Sequence, residues 1–258
     1  CFMNALKILL AVSSVVFFGL VHAIDDRADI DPADQVKSGN RFAWKLTTSQ
    51  YRSPVSGLAH DINIRANTDK NTYWLGTYKD KEGFVQSRIG AEDSYEFSHG
   101  KIISSVQVAT HGFVGGSVTW DARVKDQKGL RPMIGLGRTN MKPYYNLNFD
   151  PNDSILWGLS YKEKAMGQFN FYQVFDDRLG TGQRLTHFVW RNSLANGRRL
   201  TIDLFSKRGS SEKGLPALSG GGVSTTFDID DYFIRLAHET KANFSEENMT
   251  RISVGFRF

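Results

Sequence analysis

Apolar and polar residues change places every second position along most of this chain. Trp44 and Leu46 alternate with Ala43 and Lys45, and Ile62, Ile64 and Ala66 alternate with Asp61, Asn63, Arg65 and Asn67. Val85, Ile89 and Ala91 oppose Gln86, Arg88, Gly90 and Glu92, and Val114, Val118, Trp120 and Ala122 oppose Ser117, Thr119, Asp121 and Arg123. Leu200, Ile202 and Leu204 stand against Thr201, Asp203 and Lys207. A period of two puts one class of residue on each face of a strand. Helical periodicity is hard to find beyond the first two dozen residues.

Alternating runs predict fourteen strands, near 41–48, 58–66, 72–79, 84–95, 101–111, 114–124, 131–139, 154–161, 168–176, 184–192, 198–207, 223–229, 232–240 and 249–258. The first run and the break at Asp230 and Asp231 are the least marked, and losing both gives twelve. A soluble sandwich has the same alternation. Run length separates the two, because several runs approach the roughly ten residues with which a tilted strand crosses a bilayer. Aromatic residues near the ends of apolar faces (Trp74, Tyr78, Tyr95, Trp120, Trp157, Tyr161, Trp190, Tyr232) would suit the girdles of a membrane barrel. Counting strands back from the end puts the longest connectors, near 49–57, 140–153 and 208–222, on one side. Their Pro, Gly and Asp content suits loops.

The last residues carry a resemblance. Across 250–258, Ile252, Val254, Phe256 and Phe258 share one face, while Arg251, Ser253, Gly255 and Arg257 share the other. This is similar to the terminal signature of small Gram-negative outer-membrane β-barrels, porins among them, in which an amphipathic last strand ending in Phe is read by the barrel-assembly machinery. The resemblance implies an all-β, closed, up-and-down transmembrane barrel at 41–258. Its partners would be outer-membrane lipid and lipopolysaccharide.

The start of the chain reads as an address. Met3 is followed by Lys7, a short apolar stretch at 8–21, and Val21, His22 and Ala23 in the manner of a signal-peptidase site. A secretory signal at 1–23 is therefore expected, since a membrane anchor would need about 20 apolar residues. Residues 24–40, with Asp25, Asp26, Asp29, Asp31 and Asp34, read as a flexible periplasmic lead-in. The single cysteine, Cys1, precedes Met3, so the exported chain has no disulfide to rely on.

Charge alters this picture only slightly. With 32 basic and 27 acidic residues the formal charge is +5, too dispersed to suggest nucleic-acid binding. If apolar residues meet lipid, the alternate set faces a lumen. Asp61, Arg65, Arg88, Glu92, Asp121, Arg123, Arg235 and Glu239 are then the expected selectivity residues, with Arg41, Lys45, Asn63, Asp203, Lys207, Arg251 and Arg257 beside them. Such charges also pair into ladders that fill a lumen, and which outcome holds depends on pairing. The function expected is passive, slightly anion-favoured passage of small hydrophilic solutes by a monomer.

Two alternatives come from other classes. A lipid-modifying hydrolase would use a histidine such as His111, in phase with Ser105 and Gln107, or His187. No His-x-Ser spacing of the outer-membrane phospholipase kind is present, and 68–73 is similar over only six residues to a segment of lipid A deacylase barrels. A closed barrel could instead be a scaffold that binds through loops 140–153 and 208–222. No catalytic residue is assigned, and no cofactor or metal is expected. Asp150, Asn152 and Asp153 lack the spaced glutamate of an EF-hand. Gly180 and Gly182 lack the lysine of a phosphate loop.

Overall fold

The computed structural model describes residues 42–122, 129–140, 142, 144, 154–163, 165–176 and 180–258. The expected signal, the acidic lead-in, Arg41, Arg123 and the Asp150 turn lie outside these residues.

Fourteen antiparallel strands close into one barrel in which each strand pairs with its sequence neighbours and β1 pairs with β14. They are β1 (Ala43–Ser53), β2 (Gly57–Asn67), β3 (Asn71–Asp80), β4 (Val85–Phe97), β5 (Gly100–Ala109), β6 (Phe113–Asp121) and β7 (Gly129–Thr139). The second half comprises β8 (Ser154–Glu163), β9 (Gly167–Asp176), β10 (Gln183–Ser193), β11 (Arg199–Gly209), β12 (Leu218–Ile229), β13 (Tyr232–Glu239) and β14 (Met249–Arg257). All fourteen sequence runs correspond to strands, so the twelve-strand count is excluded. Closure leaves no sheet edge, and each strand finds its ladder partners in its neighbours, as a sheet in hydrocarbon must.

The alternation sorts side chains between two walls. Ile252, Val254, Phe256 and Phe258 point outward with 48%, 46%, 36% and 49% of their surface exposed. Outward residues on the other strands follow suit, among them Ile62, Leu75, Ile89, Val106, Leu136 and Leu204. An apolar band of this kind around a closed sheet is the wall of a membrane barrel.

The two rims differ. At the rim where β1 begins and β14 ends, here the terminal rim, the connectors include 68–70, 98–99, 164–166 and 230–231. At the opposite loop rim short turns at 54–56, 81–84 and 110–112 stand alongside the longer connectors, 210–217 and 240–248 among them. The expected loop at 49–57 is corrected, because β1 continues to Ser53 and a three-residue turn at 54–56 follows, with Gly57 at φ +74°. The expected loop at 208–222 shrinks to 210–217, since Gly220, Gly221 and Gly222 belong to β12. They are glycine because neighbours come too close for a Cβ, which at Gly222 would lie 2.3 Å from the His238 carbonyl oxygen and 2.6 Å from the Phe205 ring.

Outward rings at the terminal rim include Trp44, Tyr73, Tyr95, Phe97, Trp120, Tyr161, Trp190 and Tyr232, while the outward Trp157, Phe171, Phe175 and Phe188 stand further along the wall. Trp74 and Tyr78 were expected among them but face inward, on the opposite phase of β3. Trp74 fits there because its cross-strand partner is Gly90, where a Cβ would lie 2.1 Å from the indole.

The seam between β1 and β14 is tied at both rims. Backbone bonds join Trp44 and Phe258 in both directions, at 2.9 and 3.0 Å, and their rings stack at 6.4 Å. At the loop rim Glu247 accepts hydrogen bonds from the Ser53 hydroxyl and from Ser56, whose hydroxyl lies 2.8 Å from each carboxylate oxygen. These donors hold the Glu247 carboxyl below the usual glutamate range, the Ser53 bond contributing most.

Candidate functional site

The inner wall is where the charged alternate residues converge. Lys45, Asp61, Arg88, Asp121, Asp203, Lys207, Arg235 and Arg257 are all buried and point inward, and Arg65, Glu92, Glu239 and Arg251 share that phase. Of the expected selectivity residues only Arg123 lies outside the described residues.

These groups pair across strands and even past them. Arg88 on β4 reaches over β3 to Asp61 on β2, with Nη2 2.5 Å from Oδ2. It can do so because the residue beneath is Gly76, where a Cβ would stand 2.8 Å from the guanidinium. Lys207 on β11 likewise passes β12 to bond Glu239 on β13, above Gly220 and Gly222. Arg235 donates to the Thr226 hydroxyl at 2.8 Å. Hydroxyl pairs Ser49 with Ser253 and Ser105 with Ser117, at 2.8 and 2.9 Å, complete the polar lining between the charges.

One carboxylate holds two arginines. Asp228 accepts from Arg257 Nη2 at 2.6 Å through Oδ1, and from Arg199 Nε and Nη2 at 3.2 and 3.1 Å through Oδ2. Arg257 and Lys45 both lie over the Phe233 ring, at 5.1 and 5.0 Å. Phe233 lies flat across Gly255, its register partner. Arg65 lies over Trp74 at 6.0 Å. Aromatic rings laid against glycines thicken the wall, and their faces hold cations.

The charge is not uniform from rim to rim. The inward cations of the terminal-rim half include Lys45, Arg65, Lys101, Arg131, Lys162, Arg191, Arg199 and Arg257, against Glu92, Glu96, Asp121 and Asp228. Towards the loop rim Asp61, Asp80, Asp176, Asp203 and Glu239 offset Arg88, Lys207, Arg235 and Arg251. The sequence reading missed Arg131, Arg191, Arg199 and Asp228. They sit near strand ends, where alternation is hardest to phase.

Nor is the inner wall polar all round. On β7 to β10 the inward Met133, Leu156, Tyr172 and Val189 form a buried apolar cluster with Val174 against it. The expectation that apolar residues belong to the outer wall fails in this sector. At the loop-rim mouth the Tyr144 hydroxyl donates to Gln107 Oε1 at 2.6 Å, and its ring lies 4.3 Å from Phe113.

The candidate catalytic histidines are placed differently from each other. His111 is not in a strand. It sits exposed in the turn after β5 at φ 66°, stacked on Phe84 at 4.9 Å, and so leaves the phase of Ser105 and Gln107. His187 faces the lumen between the rings of Tyr172 and Phe205, at 4.6 and 5.3 Å, with Nδ1 3.0 Å from both Asp203 oxygens. A carboxylate and two rings orient the imidazole, and among the described residues no serine or threonine hydroxyl is hydrogen-bonded to it. Residues 68–70 form a tight turn in which the Thr68 hydroxyl accepts the Asn71 N–H at 2.8 Å.

No family model matches the chain, and no curated protein matches it. Among solved structures, it is similar to the Acinetobacter baumannii outer membrane protein Omp33, with 8% identity and a TM-score of 0.53 over 84% of this chain and 98% of that one. The KdgM porin in complex with disordered oligogalacturonate aligns at 10% identity and a TM-score of 0.45, over 83% and 99% of the two chains. A mutant of Rh. blastica porin aligns at 11% identity and 0.49, over 84% and 99%. At such identities the likeness to Omp33 is one of fold, that of an outer-membrane barrel.

Proposed function

We propose that this protein is an outer-membrane channel through which small hydrophilic solutes diffuse, with anions favoured. The observation that carries the reading is the inner wall. A closed sheet of fourteen strands is lined by ionised groups whose cations exceed the anions, and the excess is concentrated in the terminal-rim half. Barrels of about eight strands are filled by their own side chains, and this sheet is far wider. Arginines and lysines laid over rings and glycines lie along the wall of such a bore. The longest connectors stand at the rim opposite the strand termini, as in barrels whose termini are periplasmic.

The signal at 1–23, recognition of the Phe258 face by the assembly machinery, and the monomeric state belong to the same proposal. Lipid hydrolysis is the weaker reading. His187 is turned to the lumen rather than to lipid, and His111 stands on Phe84.

Reconstitution in planar bilayers tests the channel. Discrete conductance steps are expected, with a reversal potential of anion sign under a KCl gradient. Folded protein that gives no steps would refute the channel, and a cation-sign reversal would refute the selectivity.

A further inference from the structure

At the loop rim the outer wall carries an opposed pair of arginines. Arg184, the second residue of β10, and Arg208, the penultimate residue of β11, are direct cross-strand partners, and both are exposed on the lipid-facing side. Like charges placed opposite one another in a sheet repel. Among the described residues no carboxylate bonds to either, and Arg184 is held only by the Phe175 ring, 4.6 Å from its centroid.

What lies below the pair is graded. One register step toward the bilayer centre, Thr186 faces Ser206, and Gln173 Nε2 donates to the Thr186 hydroxyl at 2.9 Å. One step further, Phe188 faces Leu204, with 45% and 51% of their surfaces exposed. From the middle of the wall to the rim the same two strands thus present apolar, then hydroxyl, then cationic side chains. A phosphorylated amphiphile has that order, acyl chain, ester or sugar oxygens, then phosphate. Guanidinium groups bond phosphate through paired N–H donors.

Resting on the membrane reading above, we infer that Arg184 and Arg208 bind the phosphate of a lipid in the loop-side leaflet, with Thr186 and Ser206 facing its polar oxygens and Phe188 and Leu204 its chain. The dianion resolves the arginine repulsion that the protein alone leaves in place. Elsewhere on the loop-rim half of the outer wall Arg52, His60, Lys79 and Arg138 also face outward, and no described strand there carries an outward acidic side chain. That surplus would draw the same headgroups less specifically.

The test uses the full barrel in detergent with diphosphoryl lipid A as probe, its dephosphorylated form and inorganic phosphate as the other arms, and native mass spectrometry as readout. The wild type is expected to retain the diphosphoryl lipid, and R184Q/R208Q to bind it about thirtyfold more weakly. R184K/R208K should fall between, and R138Q should bind as the wild type does. Equal binding by R184Q/R208Q and wild type overturns the site, as does equal retention of the dephosphorylated lipid. Displacement of the lipid by millimolar inorganic phosphate also overturns it, in favour of a free-anion site. Bilayer conductance of R184Q/R208Q confirms its folding and should be unchanged. A wild type that binds lipid yet never conducts would refute the channel and leave this site standing.

Discussion

Asp228→Asn probes the inner wall where its charges are most interdependent. The substitution keeps the shape of the side chain and one acceptor oxygen. It replaces the other oxygen with an amide donor facing a guanidinium. Asp228 bonds Arg257 through one oxygen and Arg199 through the other, so one arginine must give up its bond to this side chain. The two arginine side chains are 4% and 13% exposed and that of Asp228 3%, so water compensates little. A lost charge-assisted bond is worth about 1.5–3 kcal/mol, and stranding one charge of a buried pair costs about 3–5 kcal/mol. Both arginines keep other contacts, so we expect about 2–4 kcal/mol. Urea unfolding in lipid vesicles, followed by tryptophan fluorescence, reads this directly. Adding Arg257→Gln should recover part of the loss as a positive coupling of about 1 kcal/mol or more. The bore also gains one net positive charge, so the reversal potential should move further to the anion side. A stability change below about 0.5 kcal/mol would refute the reasoning, since that is the scale of a surface substitution.

Other expectations follow from the same geometry. Gly255→Val would place a Cβ 2.0 Å from the Phe233 ring and push that ring into the bore; about 1–3 kcal/mol of overpacking and a lower single-channel conductance are expected. Glu247 ties the seam at the loop rim with a depressed pKa, so its contribution is complete above the ordinary glutamate range and is lost as pH falls through the lower folded value. Urea midpoints of the wild type should therefore drop more steeply than those of Glu247→Gln on acidification, and parallel curves would count against the seam tie. Phe258→Ala removes the ring stacked on Trp44 and Phe256, and folding into vesicles supplied with the assembly machinery should slow markedly while the final conductance is unchanged.

Strand number and facing were legible because the bilayer imposes a period of two on every strand. What escaped was set by neighbours rather than by the strand itself. Trp74 read as a girdle residue until Gly90 was seen beside it, since a lone strand does not reveal which partner leaves room for an indole. The glycine run at 220–222 carries a turn signal, yet it is strand because Phe205 and the Thr240 and His238 carbonyls press against it. The pairing of Arg88 with Asp61 and of Lys207 with Glu239 skips a strand, and no periodicity encodes that. The arginine pair of the outer wall was equally hidden, because Arg184 and Arg208 meet only through register.

The distribution of inner charge decides what kind of selectivity the bore can have. Arg88 with Asp61 and Lys207 with Glu239 are neutral couples, so a passing ion meets a local dipole there and little net field. Asp228 shared by two arginines leaves that trio with an excess of positive charge, and Arg65 on Trp74 is held by a ring that does not cancel it. Both features stand in the terminal-rim half, with Lys45 over Phe233 between them along the wall. An asymmetric fixed charge in a narrow bore concentrates anions at one mouth only. Current should therefore rectify, and the rectification should weaken as salt shortens the Debye length from about 10 Å at 0.1 M to about 3 Å at 1 M. Neutralising the trio's excess with Arg199→Gln should reduce rectification more than Arg88→Gln does, although Arg88 is the more deeply buried of the two arginines. The opposite ranking would mean that selectivity resides in the loop-rim half, where the charges balance.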